Sequence, residues 1–277
     1  MKMKTWLITG GSSGLGRIMT EKLLERGDRV VATVRRSDAL DDLATRYGEH
    51  LRVLVLDVTD THAVRRVVDD AFTSQVRIDV VVSNAGYGLF GAAEEVSDAQ
   101  IERQIATNLV GSIQVVRTSL PHLRAQGGGR IMQVSSEGGQ VAYPTFGLYH
   151  ATKWGIEGFI EAVAQEVAPF GIDCVLVEPG PTATNFGEGL DQAEATEVYD
   201  ATPSGEMRRG VVTGSFAIKG DARLTVDAMI EAGDSEHPPL RLALGSTAYE
   251  NIEATLIRRL EAIRAQKGIA FAADKPA

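Results

Sequence analysis

Tyr149 and Lys153 stand four residues apart in LYHATKWG, residues 148–155, at the start of a run with helical periodicity. On a helix that spacing puts a phenol and an ammonium on one face. A free phenol, with a pKa of about 10, exchanges its proton poorly at neutral pH; a neighbouring ammonium favours the phenolate and brings the exchange toward the working range. The plain alternative is a surface helix that carries a tyrosine above a lysine. Of six tyrosines only Tyr149 has a lysine at plus four, where chance placement would give about 0.15 such pairs. Ser136 lies thirteen residues upstream of Tyr149, after the apolar run GRIMQVSS.

A second group of residues has phosphate chemistry in its spacing. The run TWLIT leads directly into TGGSSGLG, with glycines at 10, 14 and 16. Gly10 permits a tight turn, Gly14 lets backbone N–H groups approach a pyrophosphate, and Gly16 allows a helix to pack closely. Ser12, Ser13 and Leu15 complete that loop. About twenty residues further on, a dinucleotide fold that prefers NAD places an acid against the ribose 2′-hydroxyl. Here Arg35 and Arg36 occupy that register, and paired guanidinium groups suit the 2′-phosphate of NADP. Asp38 follows closely and argues the other way. Asp57 and Val58, at the end of the third apolar run, fall near the adenine in such a fold, although a strand-end Asp is commonly a turn residue.

These groups need a scaffold that brings strand ends together. Short β-branched runs (5–9, 29–34, 51–58, 78–84, 129–136, 172–179 and a weaker 240–245) alternate with helical stretches. Several are apolar throughout, as when helices cover both faces of a parallel sheet. The expectation is α/β: a Rossmann-like doubly wound parallel sheet of about seven strands in a single domain over 1–277. Residues 187–220, rich in Gly, Thr, Glu and Asp, read as an irregular insertion over the site, and 246–266 as a C-terminal helical extension.

The motifs in this order resemble the short-chain dehydrogenase/reductase family, from residue 5 to about 186. They are TGGSSGLG, then NAG at Asn84, Ala85 and Gly86, Asn108 in a helix, Ser136, the Tyr149 and Lys153 pair, and PGPTAT at 179–184. The resemblance implies hydride transfer between a nicotinamide and a carbonyl or alcohol, with Tyr149 as general acid/base and Ser136 orienting the carbonyl. It implies that Lys153 also bonds the nicotinamide ribose and that Asn108 holds a water linking Lys153 to solvent. Pro179, Gly180, Thr182 and Thr184 would lie over the nicotinamide. With the arginine pair, the expected cofactor is NADP(H) in preference to NAD(H).

For the substrate, Tyr87, Phe90, Tyr143, Phe146 and Phe186 fall in loops near the strand ends, which favours a medium-sized hydrophobic ketone, aldehyde or keto ester. Arg208 and Arg209, in the insertion, are the exception to that apolar character. His150 is expected to pack or face solvent, and Glu137 to be a solvated loop acid. Many family members close with a strand buried in a tetramer interface; the helical ending here departs from that pattern, and the expectation is a homodimer through the helices that begin near Gln100 and Tyr149, with a monomer as the alternative. A non-catalytic dinucleotide-binding sensor is the alternative; it would need the glycine loop but not the acid/base set.

Composition narrows the classes further. The 277 residues are 44% hydrophobic and 23% charged, and a net charge of -9 disfavours a nucleic-acid partner. Lone Cys174, in an apolar run, reads as a core residue of a reducing compartment. No apolar run reaches the roughly 18 residues of a membrane span, and the N-terminus reads as a strand, not a signal peptide. The expectation is a cytoplasmic enzyme with no metal.

Overall fold

The computed structural model describes residues 3–215 and 218–275. In chain order its first half contains β1 (Thr5–Thr9), α1 (Gly14–Glu25), β2 (Arg29–Val34), α2 (Asp41–Tyr47), β3 (Leu51–Val55), α3 (Thr61–Ser74), β4 (Val80–Ser83), β5 (Leu89–Phe90), α4 (Asp98–Ile105) and α5 (Ser112–Ala125). There follow β6 (Gly129–Val134), α6 (Gly147–Val167), β7 (Ile172–Pro179), β8 (Asp191–Gln192), α7 (Pro203–Thr213), α8 (Ala222–Asp234), β9 (Arg241–Leu244), α9 (Ser246–Ala265) and α10 (Lys267–Ala272).

Seven strands form one sheet in the order β3-β2-β1-β4-β6-β7-β9, all neighbours parallel. The expected doubly wound fold is therefore present, and the weak run at 240–245 is its edge strand. Alternation along each strand feeds two cores. Trp6 and Ile8 point into a layer with Met19 and Leu23 of α1 and Val226 and Met229 of α8. Leu7 points into the opposite layer, with Val64 and Val68 of α3, Val115 of α5, and Ile156 and Ile160 of α6. Each such aliphatic side chain, fully buried, contributes about 1.5–3 kcal/mol relative to exposure. Cys174 is 6% exposed, and burial pushes its thiol up to about 12, so it is an inert core residue as expected.

The strand order reverses between β1 and β4, which opens a crevice beyond their carboxyl ends. The loops after β1, β4, β6 and β7 all leave from that end. A π-helical turn, Ala106–Gly111, joins α4 to α5 and carries Asn108; such turns recur at functional sites.

Residues 187–220 depart from the irregular insertion expected. They contain β8, which pairs in parallel with β5, and the 11-residue helix α7. The buried Glu95 side chain accepts hydrogen bonds from Thr196 N at 2.7 Å, Thr196 Oγ1 at 3.0 Å, Arg208 Nη2 at 2.7 Å and Ala92 N at 2.8 Å. Arg103 and Gln100 of α4 both hold Asp191. Arg209 donates to the carbonyl of Asp200. Arg208 thus anchors the segment to Glu95, while Arg209 is bonded within it. The C-terminal extension is helical as expected, α9 spanning Ser246–Ala265. No helix among the described residues is long and apolar enough to cross a membrane.

Candidate active site

At the end of β1 the chain enters the glycine loop. Gly14 has φ +52°, a conformation costly for other residues, and no atom lies within 4 Å of where its Cβ would be. Ser13 at the N-cap of α1 makes no side-chain capping bond, and the first turn holds no acid. The amino end of this 12-residue helix thus presents uncapped N–H groups to open space, a fit for a diphosphate. Gly16 is where the loop closes: a Cβ there would stand 2.3 Å from the Gly10 carbonyl oxygen and 2.6 Å from Asn84 Nδ2. Asn84 ties β4 to this loop by donating to Thr9 O at 3.0 Å and Gly10 O at 3.2 Å, and Ala85 N donates to Thr9 Oγ1 at 3.1 Å.

The remaining cofactor candidates divide. Arg35 and Arg36 are exposed at the end of β2; Arg36 is 80% exposed, with Asp38 at 3.7 Å. Asp57 turns back to accept from Thr59 N at 2.9 Å, the turn role that strand-end Asp commonly takes, and Val58 is buried beside Gly111. Gly86 is packed against Asn108. After Pro179 ends β7, Gly180 N donates to Leu244 O at 3.0 Å and Thr182 bridges to Gly220. Thr184 Oγ1 accepts from Phe186 N at 3.3 Å within its own turn.

The structure brings Ser136, Tyr149 and Lys153 together. Ser136 leaves β6 in an extended conformation, its Oγ accepting from Gly138 N at 3.1 Å. Tyr149 and Lys153 lie in the first turns of α6, both buried, with Lys153 Nζ 5.5 Å from the Tyr149 ring centroid and donating to Val134 O at 3.0 Å. Just before that helix Thr145 has φ 68°, a strained conformation for a β-branched residue. Asn108, 2% exposed, is held by Tyr87: Oδ1 accepts from Tyr87 N at 3.1 Å and Nδ2 donates to Tyr87 O at 2.8 Å.

The electrostatics differ from the simple expectation that Lys153 brings the phenol toward neutrality. Burial pushes Tyr149 up to about 12, against a hydrogen bond with Ser136, with the charges of Glu137 and Glu157 adding to the rise. Burial also pushes Lys153 down to about 8, opposed by Glu157. In this enclosed site desolvation outweighs the pairing of the two groups.

Around Tyr149 the aromatics are sorted. Phe146 and Phe186 lie with ring centroids 6.2 and 5.7 Å from it, and Phe90 packs on Phe146 at 5.0 Å. Tyr143 turns elsewhere: its Oη donates to Glu137 Oε1 at 3.1 Å. Glu137 is consequently not a solvated loop acid. It is 4% exposed and also accepts from Asn251 Nδ2 of α9 at 3.2 Å, and burial raises its pKa. His150 packs as expected. Its Nε2 accepts from Tyr143 N at 3.0 Å and its Nδ1 meets Gly138 O at 2.9 Å, so both nitrogens are spent on a ring that burial holds neutral.

Sequence reasoning missed Glu157 and Glu178, which are 2% and 1% exposed beside this site. Both left a signal. Glu157 repeats the four-residue step beyond Lys153, and Glu178 is an acid inside the apolar run IDCVLVEP.

The comparisons agree with this geometry. The model of the short chain dehydrogenase family matches residues 4–195. Oxidoreductase BOA17 of Botryotinia fuckeliana is 36% identical over 249 residues, 89% of this chain and 90% of that protein. A short-chain dehydrogenase of Streptomyces avermitilis superposes with a TM-score of 0.91 at 36% identity, covering 99% of each chain. A Burkholderia cenocepacia short chain dehydrogenase solved with NADP has a TM-score of 0.76 at 25% identity over 96% of this chain and 97% of its own, while another protein of the same fold holds NAD. Motif order, sheet topology and relatives converge: the chain is an oxidoreductase of the short-chain dehydrogenase/reductase family.

Proposed function

We propose that the protein is an NADP(H)-dependent carbonyl reductase or alcohol dehydrogenase that interconverts a medium-sized hydrophobic ketone, aldehyde or keto ester with its alcohol. The observation that carries this reading is the buried Tyr149, hydrogen-bonded with Ser136, above Lys153 and faced by Phe146 and Phe186. The open, uncapped amino end of α1 would hold the diphosphate, Arg35 and Arg36 the 2′-phosphate, and the loop from Pro179 to Thr184 the nicotinamide side. The nicotinamide, when bound, supplies or takes the hydride.

The protein's own part is orientation and proton delivery. The Ser136 hydroxyl holds the carbonyl oxygen and polarises it. Tyr149, still a phenol at neutral pH with its pKa near 12, gives its proton to that oxygen as charge develops there. Lys153 below it, charged below about pH 8, steadies the phenolate left behind. Asn108, fixed at the π-helical turn, stands for the water link between Lys153 and solvent. The aromatic wall admits an apolar group and excludes water from the reacting atoms. A dinucleotide-binding sensor would carry the desolvation cost of Lys153 with no use for it, which supports the enzyme reading.

The homodimer proposal rests on the helices that begin near Gln100 and Tyr149: Val110, in the π-helical turn that continues α4, and Trp154 of α6 are each 41% exposed; light scattering on the purified protein tests it. The function is tested by the loss of reduced-cofactor absorbance with NADPH and NADH side by side, on a panel of aryl ketones and β-keto esters. Faster turnover with NADPH is expected. A clear NADH preference would overturn the role of the arginines, and silence with both cofactors would favour the sensor.

A further inference from the structure

Behind the catalytic pair lies a buried charge cluster. Glu157 follows Lys153 by one helical step on α6, so the two share a face. Lys153 Nζ donates to Val134 O at 3.0 Å, while Ser135 Oγ donates to Glu157 Oε1 at 2.5 Å. The two side chains thus fasten to consecutive residues at the end of β6. On its other side Glu157 Oε2 meets Arg241 Nη1 of β9 at 2.7 Å. The same nitrogen bonds Glu178 of β7, whose other oxygen accepts from Gln140 Nε2 at 2.8 Å. Arg241 Nε meets Glu161 Oε1 at 2.9 Å, and Glu161 is 45% exposed in its side chain.

Two deeply buried carboxylates, Glu157 and Glu178, therefore stand among two cations, Arg241 and Lys153. An uncompensated charge in such a place is costly, so the set favours the state in which each carboxylate faces a cation. We propose that Glu157 is a positioning residue for the reaction: its carboxylate, steadied by Arg241, is the counter-ion that keeps Lys153 charged and seated beneath Tyr149. The groups facing Lys153 are Tyr149 and Glu157 on its own helix and the carbonyl of Val134 on β6. Glu157 faces Lys153, Ser135, Arg241 and Glu178. Glu178 takes the far end of Arg241. Because it immediately precedes Pro179, the same cluster fixes the start of the loop read as covering the nicotinamide.

The proposal rests on the reading of Lys153 as the ammonium of the site, and its test follows that charge directly, separately from turnover. In the full-length protein carrying lysine labelled with carbon-13 at Cε, the Lys153 resonance is assigned by its loss in Lys153→Met and followed against pH. Glu157→Gln is expected to lower the Lys153 midpoint by about one pH unit or more, and Glu157→Asp to recover most of it. An unchanged midpoint in a folded Glu157→Gln protein overturns the proposal. Should Glu157→Gln fail to fold, the reciprocal measurement decides. Coupling between two sites is mutual, so Lys153→Met must raise the Glu157 carboxyl midpoint, read from carbon-13 glutamate, and no rise would be equally fatal. Absence of turnover in wild type with a normal coupling would overturn the enzyme reading and with it the positioning role, whereas a lost coupling in an active enzyme would overturn the positioning role alone.

Discussion

Gly16 approaches the carbonyl of Gly10 so closely that a methyl group on it would stand 2.3 Å from that oxygen and 2.6 Å from Asn84 Nδ2. The first is backbone, and the second is a side chain already bonded to Thr9 and Gly10, so neither yields cheaply. Gly16→Ala is expected to push α1 away from the loop, cost about 1–3 kcal/mol of stability and weaken dinucleotide binding at least tenfold. Thermal melts with and without NADPH check both effects. A variant that melts and binds like wild type would show that the loop can relax where the packing says it cannot.

Tyr149 and Lys153 set the expected pH dependence. Lys153 is pushed down to about 8 and Tyr149 up to about 12. The ammonium is present below about pH 8 and disappears above it, whereas the phenol persists throughout. Carbonyl reduction needs both in their protonated forms, so kcat should fall as pH rises through about 8, and the limb should belong to Lys153. Tyr149→Phe should lower kcat by about 10²–10⁴-fold with NADPH binding, followed by fluorescence, nearly unchanged. Near wild-type turnover in that variant would remove Tyr149 as the proton donor.

The sequence made the strands legible because parallel strands buried on both faces read as unbroken apolar runs, and it made the glycine loop legible because its requirements are local. What it hid was set by distance along the chain. Glu137 looked like any loop acid, and it is buried by Asn251, 114 residues away. Arg241 gave no hint of its partners Glu157 and Glu178, 84 and 63 residues upstream. The helix α7 was obscured by Gly205 and Gly210, both buried, and by an anchor at Glu95 that lies 113 residues from Arg208. The arginines of that segment stood out in the sequence as the basic exception near the site; Arg208 is paired with Glu95 across the fold, and Arg209 donates to the nearby carbonyl of Asp200.

In the proposed site Arg35 and Arg36 carry the cofactor preference. Both are exposed at the end of β2, and the Arg36 guanidinium has Asp38 only at 3.7 Å, an exposed pair worth little. Replacing both with alanine removes charge-assisted bonds worth about 1.5–3 kcal/mol each. KM for NADPH should rise more than tenfold while KM for NADH stays within about twofold, because NADH has no 2′-phosphate to lose. Equal effects on both cofactors would place these residues outside the nucleotide site.

Glu95 is the point at which the segment bearing α7 is fastened to the body. Burial alone would raise its pKa; hydrogen bonds from Thr196, Ala92 and Arg208 instead bring it down to about 2. A carboxylate depressed in the folded state adds stability above its ordinary value of about 4.5, and that contribution is lost as pH falls toward about 2. At neutral pH it is fully present, so removing the charge is felt there. Glu95→Gln leaves the Arg208 guanidinium, 20% exposed in its side chain, with only Asp200 to face, and should destabilise the clasp by about 2–3 kcal/mol. Limited proteolysis should then cut within residues 187–215 faster than in wild type. KM should rise more than kcat falls, because Phe186 enters that segment while its ring faces Tyr149. Acidifying the wild type from about pH 5 to 3 should accelerate the same cuts in an acid-stable protease assay, and the variant should lose that pH dependence, since its clasp has no charge left to titrate.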